Sequence, residues 1–353
     1  MRLLAYMPQD TIAQALARQF ADDGHEVETT HTFSVFLRRA AWADWTILNA
    51  TKFDSPKYLW KILASALWAR LRGRRLAIFM TIDLLDLTDR PFLRPVVWAI
   101  NFLTLHAARV VILLAGRQHI VRRYRLPERK ALLVYNCPDR RLFHPLEHRH
   151  DPRRPLTFLY HGELLWWHGL ERFLPVLDAI RRRRPARLVV CGRFYPTVFR
   201  LLGVAAGRRE VEVKRQLAAL LERPDVEYRG RVPLEILQHL MAEADFHISL
   251  LNNDDEQART ELRTGLLEAM LAGMACLHAP TPGLVPGLFR DGENILLIDP
   301  RDPVAAADKI LALADAPDRL DALRREAVRT VEEHFRLEDQ YRKVHDGLVH
   351  KVH

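Results

Sequence analysis

The sequence predicts an α/β protein built from two doubly wound, Rossmann-like domains with parallel sheets. Short apolar runs alternate with amphipathic stretches of helical period. The runs at residues 76–82 and 110–115 are apolar throughout, as strands covered on both faces are. A charged, proline-bearing stretch at residues 148–155 interrupts the alternation, which restarts with an apolar run at residues 156–161. A length of 353 residues suits two domains of ordinary size, and 49% hydrophobic with 27% charged residues is a globular composition.

Each element follows from local pattern. Residues 3–7 read as the opening strand, and residues 12–23 as a helix whose apolar face carries Ile12, Leu16 and Phe20. Further strands are expected at residues 26–29, 46–49, 76–82, 110–115 and 131–135. In the second half, strands are expected at residues 156–161, 188–191, 226–232 and 246–250, with helices at residues 170–183 and 234–244. Strands separated by helices argue for parallel sheets. The domains are expected at residues 1–150 and 151–333, followed by a terminal helix over residues 334–353.

Charge is unevenly shared. Residues 1–155 hold 25 Lys and Arg against 14 Asp and Glu, an excess of 11 cations, whereas the remainder holds 28 against 30. A basic first half suits an anionic neighbour such as membrane phospholipid, a lipid-phosphate acceptor or nucleic acid; a solvated basic surface explains it equally. No aromatic-basic interleaving of a nucleic-acid module supports that third neighbour, and none is expected. Residues 58–75 and 92–105 combine Trp60, Trp68, Trp98 and Phe102 with Lys61, Arg70 and Arg72, either as core helices or as an interfacial, peripheral membrane contact. Neither run is a spanning helix. Three scattered cysteines, Cys137, Cys191 and Cys276, read as reduced residues, and no signal-peptide layout opens the chain. Both features point to the cytoplasm, at the inner face of a membrane.

The most informative stretch begins at Arg259. Glu268 sits inside the apolar run Leu266, Leu267, Ala269, Met270, where a carboxylate needs a reason. It is either a helix-start charge complementing the dipole or a residue that holds ribose hydroxyls, as acidic residues do in dinucleotide sites. No DxD triplet and no His/Cys cluster with metal spacing is present, so a metal-independent chemistry is expected.

The segments LLEAMLAGM and RDGENILLIDPRDP resemble the donor half of the GT-B retaining glycosyltransferases of family four. Asn136-Cys137-Pro138-Asp139 with Phe143 and Pro145 resembles the signature that ends that family's first domain. His334-Phe335 resembles the start of its terminal helix, which crosses back to that domain. The resemblance implies a GT-B fold, two Rossmann-like domains facing each other across a cleft. It also implies transfer of a sugar, with retention, from a UDP- or GDP-type nucleotide-sugar to a glycan or lipid-linked acceptor, with no cofactor.

It further implies roles for individual residues. Glu268 would bind ribose, and the amides of Thr264, Gly265 and Leu266 would hold the diphosphate at a helix start, with Thr264 able to cap. Gly162 would open the loop that precedes His168, and Arg231 would lie beside the base edge. Departures from the family pattern are equally specific. Its first glutamate falls on Thr260, so Glu261 is the expected sugar contact. Its phosphate-binding Arg and Lys are Glu163 and His168 here, so Arg193, Arg259 and Arg263 are the candidate replacements, with His168 a donor or a cation at lower pH. Its His-Asp pair falls on Ile82-Asp83, leaving Asp83 as the first domain's reacting-sugar or acceptor contact. Its glycine-rich first loop is Met7-Pro8-Gln9-Asp10. These losses make a non-catalytic nucleotide-sugar-binding or scaffold protein on the same fold the alternative.

Overall fold

The computed structural model describes residues 1–6, 11–30, 32–49, 56–80, 83, 85, 92–116, 118–148, 154–165, 167–193, 208–251 and 259–350. Met7-Pro8-Gln9-Asp10, Ile82 and most of the stretch at residues 148–155 lie outside them. The chain divides into two units, the first containing Met1–Asn136 and Leu337–His353, the second Cys137–Pro196 and Gly207–Arg336.

In the first unit six strands run parallel in the order β2-β1-β3-β4-β5-β6. They are β1 (Arg2–Tyr6), β2 (Glu26–Thr30), β3 (Trp45–Asn49), β4 (Arg75–Met80), β5 (Val110–Leu114) and β6 (Ala131–Val134). Helices α1 (Thr11–Asp22), α2 (Phe33–Arg39), α3 (Pro56–Leu71), α4 (Arg94–Ala107) and α5 (Gln118–Arg123) connect them. The uniformly apolar runs at β4 and β5 are buried almost end to end, as two-sided coverage requires. Leu16 and Phe20 of α1 share a core with Tyr341, Val344 and Leu348 of the last helix, α12 (Leu337–His350).

That last helix lies in the first unit. Gln340 accepts from the Tyr135 amide at 3.0 Å, and a Cβ on Gly347 would sit 2.3 Å from Leu132 Cδ1, so the helix docks closely on β6.

The boundary falls after Asn136, earlier than the charged stretch suggested. Residues 137–148 bond into the second unit: the Leu146 amide donates to the Ala272 carbonyl, His148 Nε2 lies 2.8 Å from the same oxygen, and Arg140 donates to the Glu332 carbonyl. Composition marks where a chain is polar, whereas backbone pairing decides which unit a polar segment joins.

The second unit carries β7 (Leu156–His161), β8 (Ala186–Cys191), β9 (Val226–Gly230), β10 (Phe246–Ser249), β11 (Ala275–His278) and β12 (Leu296–Leu297). Its helices are α6 (Leu174–Arg181), α7 (Arg208–Leu221), α8 (Leu234–Glu243), α9 (Thr264–Leu271), α10 (Pro303–Ala314) and α11 (Pro317–His334). The expected helix over residues 170–183 begins as a 3-10 turn (Leu170–Phe173) and becomes α-helical at Leu174, where Pro175 falls in the first turn and needs no amide partner. The sheet order is β12-β11-β10-β7-β8-β9, all parallel. The chain therefore winds outward from β7 to β9, returns, and winds the other way from β10. The crevice beside the carboxyl ends of β7 and β10 is the topological switch point, where open parallel sheets bind their ligands.

Candidate functional site

The residues that Gly265 brings together sit at that switch point. Its Cβ, if present, would lie 3.3 Å from His161 Nε2 and 3.4 Å from the His161 carbonyl, so glycine eases the close approach of the start of α9 to the end of β7. His161 Nε2 lies 3.0 Å from Glu268 Oε2, and the two residues are 107 positions apart in sequence. Glu268 is thus one turn into α9 and tied to the last residue of β7 while its side chain keeps some exposure.

Arg263 occupies the N-cap position of α9, with no side chain capping the first turn, so Thr264 does not serve as the cap. Thr264 is instead the first helical residue, and Leu266 is fully buried in the core, its amide donating to the Arg263 carbonyl at 3.2 Å. An uncapped helix start leaves amide donors and the positive end of the dipole for an anion.

The Arg263 side chain is 3% exposed. Its Nη2 donates to the Tyr160 hydroxyl at 3.1 Å and to the His161 carbonyl at 3.2 Å, and the guanidinium lies 4.8 Å from the centre of the Tyr160 ring. Its Nη1 is buried without a partner. A buried cation with an unmet donor is costly unless something anionic completes it. Burial raises the pKa of the Tyr160 hydroxyl to about 12, so it stays protonated as a hydrogen-bond bridge.

Gly162 follows at φ +120°, with its amide bonded to the Cys191 carbonyl at 3.0 Å and Arg263 Nη2 within 3.0 Å of where a Cβ would stand. Glu163 then pairs with Arg231 at 2.7 Å on the surface, so Arg231 neutralises a carboxylate. His168 is buried, with Nδ1 3.0 Å from the Tyr160 hydroxyl and 2.8 Å from the Glu163 carbonyl. Burial first, and then the charge of Arg263, lower its pKa, so the neutral ring is favoured at physiological pH. Glu261 accepts from Trp167 Nε1 at 3.0 Å and lies 3.4 Å from His168 Nε2. Arg259 and Arg193 are exposed, and the Arg193 carbonyl accepts from the Leu164 amide, bracing the loop after β7.

Asp83 belongs to the first unit, where it is fully buried. Its carboxylate accepts from the Leu85 amide, Asn101 Nδ2, Arg123 Nη1 and the Tyr124 hydroxyl, at 2.6 to 3.0 Å. That network occupies both oxygens and anchors the end of β4 to α4 and α5. Asp86 and Asp89 lie outside the described residues.

The pattern did not reveal two further histidines. His247 in β10 pairs in register with Leu159 and Cys276, and its ring centre lies 4.8 Å from that of His161; His278 ends β11. Both are fully buried; His247 has no hydrogen-bond partner on either nitrogen and His278 has none on Nε2. The available signal was a polar residue inside each of the apolar runs FHIS and ACLH. Burial pushes His247 well below the ordinary imidazole range and His278 to about 4.

A pH dependence follows. The unfolded chain takes up protons below about pH 6.5 while these rings stay neutral in the fold, so stability is lost as pH falls from about 6.5 toward 4, by about 1.4 kcal/mol per pH unit for each such ring. His247→Leu should therefore raise the melting temperature more at pH about 5.5 than at about 7.5. An equal shift at both values would show that His247 takes up its proton alike in the folded and unfolded chain.

A helix start without a cap, a buried arginine and a tethered carboxylate, all at one switch point, are what a nucleoside diphosphate requires. Residues 155–316 match the family model described as Glycosyl transferases group 1. Those residues are thus similar to a group 1 glycosyltransferase domain.

The whole chain has the GT-B fold of such glycosyltransferases. It superposes on sucrose-phosphate synthase from Thermosynechococcus elongatus with a TM-score of 0.72 at 15% identity, covering 98% of each chain. It superposes on Anabaena HepE in complex with UDP-glucose with a TM-score of 0.68 at 16% identity, covering 99% of this chain and 100% of that one. An alpha-glucosyltransferase solved with UDP and a 13-mer DNA gives 0.62 at 12% identity, covering 99% of both chains. No curated protein sequence matches the chain. In the second unit Glu163 and His168 stand where the resemblance would place two cations, and Arg263 is a buried positive charge beside their loop.

Proposed function

We propose that this glycosyltransferase moves a sugar from a UDP- or GDP-type donor, with retention of configuration and without a metal or cofactor, to a glycan or lipid-linked acceptor. The observation that carries the reading is the tethered pair His161–Glu268 at 3.0 Å beside the buried, incompletely satisfied Arg263. Glu268 takes the ribose hydroxyls. The amides of Thr264 and Gly265 and the Nη1 of Arg263 take the diphosphate, the Leu266 amide being held by the Arg263 carbonyl, and a fixed positive group there also stabilises the charge that develops as the sugar leaves. The departing phosphate takes the acceptor proton, as the family resemblance implies, so the protein need not supply a base. Neighbours of the same fold were solved with UDP or UDP-glucose, which favours a uridine donor. Three cysteines, none in a disulfide, suit the cytoplasm.

One observation favours the second reading, a non-catalytic nucleotide-sugar binder: Glu163 is paired with Arg231, and burial disfavours the cationic form of His168, so neither replaces the lost cations. The deciding experiment is a thermal-shift panel of UDP, GDP, ADP and their sugars, with nucleotide release followed in the same samples. Stabilisation by one nucleotide, with release from one of its sugars, is the expected result. Binding without release when acceptors are supplied selects the binder, and no binding by any nucleotide overturns both readings.

A further inference from the structure

Helices α3 and α4 pack together through Leu63, Val97 and Ile100. Away from that seam, each presents an apolar stripe to solvent. On α3 it runs through Trp60, Leu67 and Leu71, and at the start and along the length of α4 through Phe92, Val96 and Leu103. On α3 the spacing i, i+7, i+11 and on α4 the spacing i, i+7 of Val96 and Leu103 keep the residues on one helical face, and Phe92 stands in the turn just before α4. Leu71 is 86% exposed, Phe92 66% and Trp60 56%. An α-helix that is apolar on both its inward and outward faces has a partner outside its own unit.

Charge decides which partner. Neither α3 nor α4 contains an Asp or Glu. Lys61, Arg70, Arg72 and Arg94 are exposed around the stripes. Arg70 is held by the His106 carbonyl at 3.2 Å, and the Arg72 guanidinium lies 5.9 Å from the centre of the Trp68 ring. A second copy of this face would set cation against cation, so self-association through it is disfavoured. Among the described residues no helix is long and apolar enough to cross a membrane.

We propose that the α3–α4 pair is a monotopic docking surface for an anionic phospholipid bilayer, its aromatic and aliphatic side chains entering the headgroup boundary and its cations meeting lipid phosphate. This surface belongs wholly to the first unit and stands independently of the transferase reading.

The test is flotation of the full chain with vesicles of phosphatidylcholine alone, or with about a third phosphatidylglycerol. Wild type should float with the anionic vesicles and much less with the neutral ones. A combined Trp60→Ser, Leu71→Ser, Phe92→Ser variant changes side chains that are more than half exposed and should keep its melting temperature. It should lose binding by about tenfold or more. Lys61→Gln with Arg72→Gln should erase the preference for anionic vesicles. The proposal fails if wild type ignores both vesicles, if the apolar variant binds as well as wild type, or if that variant instead dissolves a concentration-dependent dimer. Nucleotide-induced thermal shifts in the same variants should stay as in wild type, so a failed flotation and a failed donor reading remain distinguishable.

Discussion

Arg263→Met abolishes most sugar transfer while leaving the fold as stable as before, or more so. Arg263 is buried, donates to Tyr160 and His161, and carries an Nη1 with no partner. In the unliganded fold that unmet donor is a penalty, and replacing a buried charge by an apolar side chain of similar length is often neutral or stabilising. With a diphosphate present the balance reverses, because a fixed cation in a closed site supports the charge of the leaving group. Removal of one such preorganised group typically lowers kcat by about 10²- to 10³-fold. Arg263→Lys should recover little, since a lysine cannot bridge the Tyr160 hydroxyl and the His161 carbonyl and still present a second N–H to a phosphate. The measurement is turnover of the preferred donor beside thermal melting of the same samples. Turnover within about threefold of wild type in Arg263→Met would remove Arg263 from the donor site.

Glu268→Ala weakens nucleotide binding by about 10- to 150-fold, the range for a hydrogen bond to a charged group, and the loss depends on the ribose. A nucleoside diphosphate lacking the 2′ and 3′ hydroxyls should bind wild type and Glu268→Ala with nearly equal affinity, because the carboxylate has nothing left to hold. His161→Leu should act in the same direction but less strongly. His161 Nε2 lies 3.0 Å from the Glu268 carboxylate, so in this reading it is a positioning residue. Its effect should vanish in the Glu268→Ala background, the non-additivity expected of two residues in one network. Calorimetric titration with UDP and its dideoxy analogue decides the matter. If the two nucleotides lose affinity equally on Glu268→Ala, the glutamate is a dipole-complementing charge and the ribose reading is wrong.

Much of this architecture was legible in local pattern. Apolar runs marked β4 and β5 to within two residues, since two-sided burial favours apolar side chains along the whole strand. Glu268 stood out because a carboxylate in an apolar helical run demands an explanation, and Gly265 because a glycine at a helix start permits close backbone approach. Several elements were missed, among them helices α7, α10 and α11. The short helix α2 and the two-residue strand β12 have too few residues for a period to register.

The sequence by itself determined two parallel α/β units, the strand beginning at Leu156, and the helix whose start carries Arg263, Thr264 and Gly265. It did so because periodicity, glycine placement and burial of apolar runs are consequences of nearby residues. Only the tertiary structure decided that Glu268 answers to His161 across 107 positions, that Arg263 is buried with a donor unmet, that Glu163 is neutralised by Arg231, and that Asp83 is enclosed by four donors. Those are facts about which side chains converge at the ends of strands. Convergence depends on strand order and helix packing, which no local window of sequence contains.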